Sequence, residues 1–407
     1  MHLVVPQREE LLNEYRQAEK YGQWWFFLDL ALIALTLVFL NTNQVKNSPL
    51  EALILVCASI GPTLLSLLYL YVQKKKRVED LRPDVRFGEI TKANLLKEIQ
   101  SVFLKMGVSP GDITLYITAE KQVNAAALAL GLGRVMPKLR AIYLNRGTLH
   151  ALSPKELSSV IAHELAHIYR YPLGYQKGLF LHLITATLLA LTVWSLGVNL
   201  MIALFVIGGY FFCLNFVFAR YSQTIEYLCD DCGAEIAGID AALRAEFRIA
   251  QHSEIVSRAY CAALEKKLSG QEISSKDLQA VLEDALTFDP PNAEDLEREV
   301  LLRMKSKETR SKNSFFHFIR DIVFSDSQDA LGQHQEILAS LKKAAKSPTL
   351  ELPLGDGFTR EWFGELVNRI KAEPSKILFR VPEELSDADS THPGPRKRML
   401  YLWQSYC

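Results

Sequence analysis

Apolar residues are concentrated in four long runs, at 24–40, 50–72, 179–198 and 199–218. Each run is near the length that a helix needs to cross a bilayer. A short polar link separates the first two runs, whereas almost no polar residue separates the last two. The pattern predicts a mainly α membrane protein with four transmembrane helices in two hairpins. For each pair, a buried helical hairpin in a soluble protein is the alternative.

Basic residues indicate how these runs are oriented. Residues 74–77 read KKKR directly after the second run, Arg170 precedes the third run, and Arg220 follows the fourth. Only Lys46 lies in the opposite loops. By the positive-inside rule, the N-terminus and the long polar regions are cytosolic. The first run also contains Asp29, beside two tryptophans near one end, and we expect its carboxylate to reach the membrane interface.

Between the second and third runs, the polar and apolar positions predict a compact α+β unit. Apolar residues recur at helical spacing over 92–106, and Gly107 then stops the helix. Strands are predicted at 113–118 and 141–144. The alanine-rich stretch 123–131 has short side chains that let another backbone approach, so it is a candidate edge strand for an extended peptide. A plain buried strand or a helix is the other interpretation. The candidate substrate contacts in this stretch are Asn124, Ala125, Ala126 and Ala127.

The composition of the chain limits which partners and which cellular compartment we expect. The 46 basic and 46 acidic side chains cancel, so the chain has no electrostatic footprint for nucleic acid, and the bilayer is its expected environment. The charged N-terminal stretch is not typical of a secretory signal, and we expect it to be retained. Six scattered cysteines predict no disulfide framework and fit a reducing compartment. Cys229 and Cys232 form a CxxC pair, for which a redox role is the alternative to two reduced thiols.

A helix that carries candidate chemistry begins after residue 153. Ser153, Pro154 and Glu156 provide an N-cap, a proline at the first helical position and a capping box. The sequence HELAH follows on the same helix. Its two histidines, His163 and His167, lie one above the other on one helix face, so both imidazoles can bind the same metal ion.

These residue types are those of a zinc hydrolase site. Glu164 would stand beside the open position of the metal, where it can act as a general base on water. The helix is largely apolar around the histidines, so unpaired imidazolium groups would be costly there. Two core histidines bonded to backbone carbonyls are the alternative. A catalytic zinc normally has three protein ligands, so a third is needed.

The best candidate for the third ligand lies just after the fourth run, in the sequence SQTIEYLCDD at 222–231. Glu226 and Asp230 are one helical turn apart on one face, which suits a ligand and a partner that orients another ligand. Because HELAH leads into the third run and this segment leaves the fourth, the hairpin returns both helices to the same membrane face. A solvated charge is the other interpretation of Glu226.

Four stretches resemble the membrane zinc metallopeptidases of the HtpX and type I CAAX prenyl protease kind, which are gluzincins. They are VNAAALALG at 123–131, SPKELSSVIAHELAHIYR at 153–170, SQTIEYLCDD at 222–231 and STHPGPRKR at 390–398. The layout of the membrane runs looks more like HtpX than like the prenyl proteases. The chain departs from the family pattern at Gln223 and Cys229, where the family usually has arginine and alanine.

The resemblance implies a zincin-like metalloprotease domain that binds one Zn²⁺ per chain. The residues that it implies for the metal are the ligands His163, His167 and Glu226, the general base Glu164, and Asp230 to orient a ligand histidine. It also places His392 and Arg398 near the site, where either could stabilise an oxyanion.

The function that follows is a membrane-embedded zinc-dependent endopeptidase, with protein or peptide substrates and a cytosolic active site. By resemblance, its role is membrane protein quality control in a bacterial inner membrane. One alternative is a dedicated processing protease for a lipidated or prenylated substrate. Another is a non-catalytic, zinc-braced membrane scaffold, which would need a fourth zinc ligand from Cys229 or His392.

The predicted organisation follows from these assignments. Its segments are a cytosolic N-terminal segment (1–23), a first transmembrane hairpin (24–72), the first part of the catalytic domain (73–178), a second hairpin (179–218), the second part of the catalytic domain with the third ligand (219–259), a helical insert (260–385) and a C-terminal segment that returns to the site (386–407). Helices are predicted in the insert at 276–286, 293–304 and 333–345. Solvated helices packed on the catalytic unit, or a substrate-binding or partner-binding insert, are its two interpretations.

Overall fold

The computed structural model describes residues 6–88, 90–109, 111–120, 123–129, 140–172, 178–250, 359–372 and 393–407. The helices in these residues are α1 (Arg8–Phe39), α2 (Thr42–Asn47), α3 (Pro49–Val72), α4 (Lys92–Met106), α5 (Arg146–Ala151), α6 (Pro154–Tyr169), α7 (Leu179–Ser195), α8 (Leu200–Ala237), α9 (239–250), α10 (Arg360–Ala372) and α11 (Pro395–Tyr406). The strands are β1 (Lys75–Arg77), β2 (Arg86–Phe87), β3 (Ile90–Thr91), β4 (Thr114–Thr118), β5 (Ala125–Ala129) and β6 (Arg140–Asn145).

Three helices of the described chain are long and apolar enough to cross a membrane: α1, the Pro49–Tyr69 part of α3 and the Leu200–Ala219 part of α8. Large apolar side chains on their surfaces are left exposed, as in Val38 and Phe216 at 77% and 75%, which suits lipid contact. The third predicted run forms α7, a shorter apolar helix of 17 residues whose Ala190 and Trp194 are buried. The count of four membrane-crossing helices therefore stays a prediction.

The expectation for Asp29 is wrong. Its side chain does not reach an interface but is completely buried between helices, where it is bonded to His182 of α7 and Tyr210 of α8. The physical reason is that a buried carboxylate with two partners inside the bundle avoids the cost of an unpaired charge. Sequence alone gave no sign that these partners would face it.

The main sheet of the described residues has four strands in the order β1-β4-β6-β5. The central pair, β4 and β6, is parallel, and β1 and β5 add to it in antiparallel orientation. This confirms the two predicted strands. It also resolves the alanine-rich stretch as a strand at the sheet edge, in register with β6 through the pair Ala127 and Ile142.

The core of the α+β unit forms where α4 and α6 pack against the sheet. Apolar residues at helical spacing, such as Leu95 and Ile99 of α4 and Leu157 and Ile161 of α6, are buried there with alternate residues of β4 and β6. The predicted helix α4 is confirmed, and it ends at Gly107, whose φ of 67° lies in the left-handed region that favours glycine. This packing fixes α6 beneath the sheet edge.

Helices α6 and α8 approach each other very closely at Gly233. An added Cβ at this position would lie 2.7 Å from the Ser159 side-chain oxygen and 3.0 Å from the Ser159 carbonyl oxygen. Because only glycine leaves room for that contact, Gly233 sets the distance between the two helices that carry the predicted metal ligands.

A second apolar core joins α8 to α9, α10, α11 and the first turns of α1. Its buried members include Leu11, Leu228, Phe247, Phe363 and Tyr401. Helix α10 belongs to the predicted insert and packs directly on this core. The insert helices predicted at 276–286, 293–304 and 333–345 lie outside the described residues.

Candidate metal centre

Helix α6 presents the HELAH residues because its N-terminus is fixed. The Ser153 side chain accepts a hydrogen bond from the Glu156 backbone N–H, and the Glu156 carboxylate accepts one from the Ser153 N–H at 2.8 Å. Pro154 occupies the first turn. The predicted capping box is confirmed, and it places both histidines on the helix face that meets α8.

Three side chains from these two helices converge on one point. The Nε2 atoms of His163 and His167 are 3.1 Å apart, and oxygens of Glu226 lie 3.3 Å and 3.4 Å from them. A tetrahedral zinc ion with bonds of about 2.0–2.1 Å holds its ligand atoms about 3.3 Å apart. Among the described residues, this is the group of histidine, cysteine and carboxylate side chains that could hold a metal ion. We call these three residues the metal centre.

A chain of polar contacts orients the first histidine. Asp230 lies 2.9 Å from Nδ1 of His163, which turns Nε2 toward the metal centre. Arg398 of α11 donates to Asp230 through Nε at 2.8 Å and again through Nη2. The same Nη2 lies 3.1 Å from the carboxylate of Glu246. Helix α11 therefore braces the carboxylate that positions His163, one of the candidate ligands.

The electrostatics of the site favour a cation. Burial works against a charge on His163, but the hydrogen bonds and charges of Asp230 and Glu226 outweigh it and raise the pKa of His163 to about 10. Burial also disfavours a charged Glu226, yet the hydrogen bond from His163 and the charges of His163, His167 and Arg398 hold the pKa of Glu226 below its usual range. A field that holds a proton on an imidazole this firmly also attracts a metal ion.

Glu164 stands between the metal centre and the sheet edge. Burial raises the pKa of Glu164 to about 7. The charge of Glu226 also raises this pKa, whereas a hydrogen bond from the backbone of Ala127 lowers it. That bond links the carboxylate to β5. A carboxyl group with a pKa near neutrality can both accept and return a proton.

The site opens into a cavity of about 440 Å³. Its lining combines the metal centre with strand β5 and helix α9, and includes Asn124, Ala125, Ala126, Ala127, Glu164, Asp230, Glu246 and Arg398. The structure therefore brings together the predicted site residues within the described chain. His392 lies outside the described residues.

Glu246 was missed by the sequence analysis. It lies on α9, is buried, and faces the cavity with Ala242, Ala245 and Ile249. Burial raises the pKa of Glu246 to about 7. The available signal was a carboxylate on an otherwise apolar helix face, but nothing in the spacing showed that this face would meet Arg398.

Two histidines and a glutamate from crossing helices, with a second glutamate beside them, define the site of a metal-dependent hydrolase of the HExxH class. The model of one family, Peptidase family M48, matches residues 89–403, and the chain belongs to that family of metallopeptidases. The resemblance drawn from the motifs is thereby confirmed. Comparison with curated proteins and with solved structures finds no match.

Proposed function

We propose that this protein is a membrane-bound zinc endopeptidase that cleaves peptide bonds at the cytosolic face of a membrane. The observation that carries the proposal is the convergence of His163, His167 and Glu226 at zinc-like separations beside Glu164, in an open cavity. When bound there, zinc would supply Lewis-acid polarisation of water and of the scissile carbonyl. The family gives metallopeptidase activity, and the donor set of two imidazoles and a carboxylate suits zinc.

Glu164 is the general base of this proposal. Its carboxylate takes a proton from the attacking water and passes that proton to the leaving amine. The raised pKa supports this exchange, because a carboxyl group that titrates near neutrality can hold the proton between the two steps. The contacts of Arg398 with Asp230 and Glu246 favour a role in positioning Asp230 over the predicted role in stabilising an oxyanion.

Substrate would lie along β5 as an added strand. Asn124 accepts a backbone hydrogen bond from Asn145 at 3.1 Å, so even-numbered residues of this strand face β6. The backbone groups of Ala125, Ala127 and Ala129 therefore face away from the sheet, toward the cavity. The Ala125 N–H already donates to the Asn124 side chain and the Ala127 N–H to Glu164. An extended peptide would therefore pair with the carbonyl groups of these residues and with the backbone of Ala129, and the alanine side chains leave space for its own.

The membrane side of the proposal rests on the apolar helices. Helix α8 carries Glu226 about two turns beyond its membrane-crossing part, which ends at Ala219. The metal centre would thus lie close to the bilayer surface, on the side that the basic residues mark as cytosolic. Proteins that emerge from or are damaged within the membrane are natural substrates for such a site, which supports a role in membrane protein quality control.

The scaffold alternative requires a closed site with four protein ligands. Cys229 was one candidate for the fourth, but it is buried in the second apolar core, and burial raises the pKa of its thiol. A protonated core thiol is a poor zinc ligand. This argues against Cys229 as a fourth ligand; His392, the other candidate, lies outside the described residues.

The test uses the full chain, purified in detergent without zinc and then reloaded. We expect wild type to cleave an unfolded protein only after zinc is added. Glu164→Gln should bind zinc as wild type does but lose cleavage by about 100-fold or more. A matched control is Glu361→Gln, an exposed glutamate on α10, which should cleave normally. Full proteolysis by Glu164→Gln would refute the general-base role.

A further inference from the structure

A second buried polar cluster lies inside the membrane helices, away from the metal centre. Asp29 accepts hydrogen bonds at 2.6 Å from Nδ1 of His182 and at 2.6 Å from the hydroxyl of Tyr210. Trp25 donates its indole N–H to the same hydroxyl at 3.3 Å. Asp29 and His182 are buried, with exposed fractions of 0% and 3%. We call these four residues the membrane cluster.

Such a cluster is costly unless every partner is in place. A carboxylate within a membrane-crossing helix must be paired, because hydrocarbon offers no hydrogen bonds. The partners of Asp29 come from α7 and α8, so they meet it in only one axial register of the three helices. A shift of α1 by one residue would move Asp29 about 1.5 Å along the bundle and rotate it away from both partners.

The contacts that set the register of α1 along α8 continue well beyond the membrane-crossing parts of the two helices. The two helices run antiparallel, and contacts continue from Trp25 to the cytosolic end. The contacting pairs show this antiparallel order, because the residue number falls on α1 as it rises on α8. The pairs are Trp25 with Phe218, Tyr21 with Tyr221, Glu14 with Thr224, and Arg8 with Asp231.

The last two pairs flank the metal centre. Thr224 lies two residues before Glu226, and its hydroxyl donates a hydrogen bond to Glu14 at 2.6 Å. Arg8 lies 3.3 Å from Asp231, one residue after the carboxylate that orients His163. Any axial shift of α1 would therefore strain α8 on both sides of Glu226.

We propose that Asp29 is a positioning residue, which sets the register of α1 along α8 and through it the placement of Glu226 toward His163 and His167. The proposal rests on the proposed function only in taking these three residues as metal ligands. Asp29 itself touches neither substrate nor metal.

The experiment compares variants of Asp29 in the detergent-purified full chain. Asp29→Leu removes both acceptors, whereas Asp29→Asn keeps an acceptor in the same place. Tyr210→Phe deletes a single hydroxyl, and serves if Asp29→Leu does not fold. The matched control is Thr36→Val, because Thr36 is also buried on α1 but its hydroxyl bonds to its own helix, at Ile33.

Two readouts separate register from metal placement. The first is cross-linking of the pair Tyr21→Cys and Tyr221→Cys by a short thiol reagent, measured by mass spectrometry of the linked peptides. This readout needs no metal, so it remains valid even if the chain is not a protease. The second is the visible absorption spectrum and affinity of Co²⁺, used as a probe of the metal centre.

We expect Asp29→Leu to lower the cross-link yield, to change the Co²⁺ spectrum and to weaken Co²⁺ binding by about 2- to 30-fold. Tyr210→Phe should act in the same direction with a smaller effect. Asp29→Asn should restore most of the wild-type behaviour, and Thr36→Val should match wild type. An unchanged cross-link, or a lost cross-link with an unchanged Co²⁺ spectrum and affinity, would overturn the proposal. Equal effects in Asp29→Leu and Thr36→Val would also overturn it, since they would indicate general loosening of the bundle.

Discussion

Helix α8 carries parts of two buried clusters that use the same chemical groups for different ends. At the metal centre, the ligand atoms of His163, His167 and Glu226 converge on one point, and these side chains border a cavity. In the membrane cluster, His182 and Tyr210 each bond directly to the carboxylate of Asp29. Burial of a histidine beside a carboxylate therefore does not by itself mark a reactive site. The metal centre differs because its three side chains converge on a point that a cavity makes accessible.

The surroundings of the two clusters differ as well. The metal centre is backed by Asp230, Glu246 and Arg398, whose guanidinium offsets the neighbouring carboxylates. That arrangement keeps a strong local field while satisfying the carboxylates that are not ligands. Because the candidate ligands and the residues behind them are separate side chains, each can be replaced on its own.

The largest effect should come from Glu226→Ala. This change removes one of the three ligands, so we expect zinc affinity to fall by more than about 100-fold and cleavage to disappear. Zinc per chain, measured by elemental analysis after dialysis, tests the first point. Glu235→Ala, nine residues later on the same helix, is the matched control and should retain zinc. Retention of one zinc per chain by Glu226→Ala would contradict the ligand set.

Asp230→Asn should have the next largest effect. Loss of the negative charge beside Nδ1 weakens both the orientation and the basicity of His163, so we expect zinc affinity to fall by about 10- to 100-fold. Competition with a chromogenic chelator measures this affinity. An affinity equal to that of wild type would show that Asp230 does not orient the ligand.

Gly233→Ala tests the close approach of the two ligand helices. The added methyl group must displace Ser159, so we expect the free energy of unfolding to fall by about 1–3 kcal/mol. Thermal unfolding in detergent measures the change. Gly209→Ala on the same helix is the control, because an added Cβ there has no neighbour within 4 Å. Equal melting temperatures for the two variants would count against a tight contact at Gly233.

The last prediction concerns Asp231 and pH. Burial raises its pKa from 3.8 to about 6 in the folded protein, so the folded state binds this proton more tightly than the unfolded state. The contribution to stability is therefore fully present below about pH 4 and is lost as pH rises through 6, a change of at most about 3 kcal/mol. Asp231→Asn should flatten the pH dependence of the free energy of unfolding in this window. A slope identical to that of wild type would contradict the assignment.

The parts of the site that sequence predicted are those fixed by local rules. A capping box and i, i+4 spacing placed His163 and His167 on one helix face, and alanine-rich composition indicated a strand that another backbone can approach. Glu226 was reached by asking where a membrane hairpin would return the chain.

The parts that sequence did not predict depend on contacts between distant helices. Asp29 meets its partners only because α1 packs against both α7 and α8, contacts with no local signature in the sequence. Glu246 becomes a site residue only when α9 turns its apolar face toward Arg398. Both are charged residues on apolar helix faces, which is the one pattern that pointed to them.

X-ray absorption at the zinc edge of the reloaded protein shows which atoms bind the metal ion. We expect nitrogen and oxygen ligands at about 2.0–2.2 Å, with two imidazoles, one carboxylate and a solvent oxygen. A sulfur ligand at about 2.3 Å, or a fourth protein ligand in place of solvent, would contradict an open site formed by His163, His167 and Glu226.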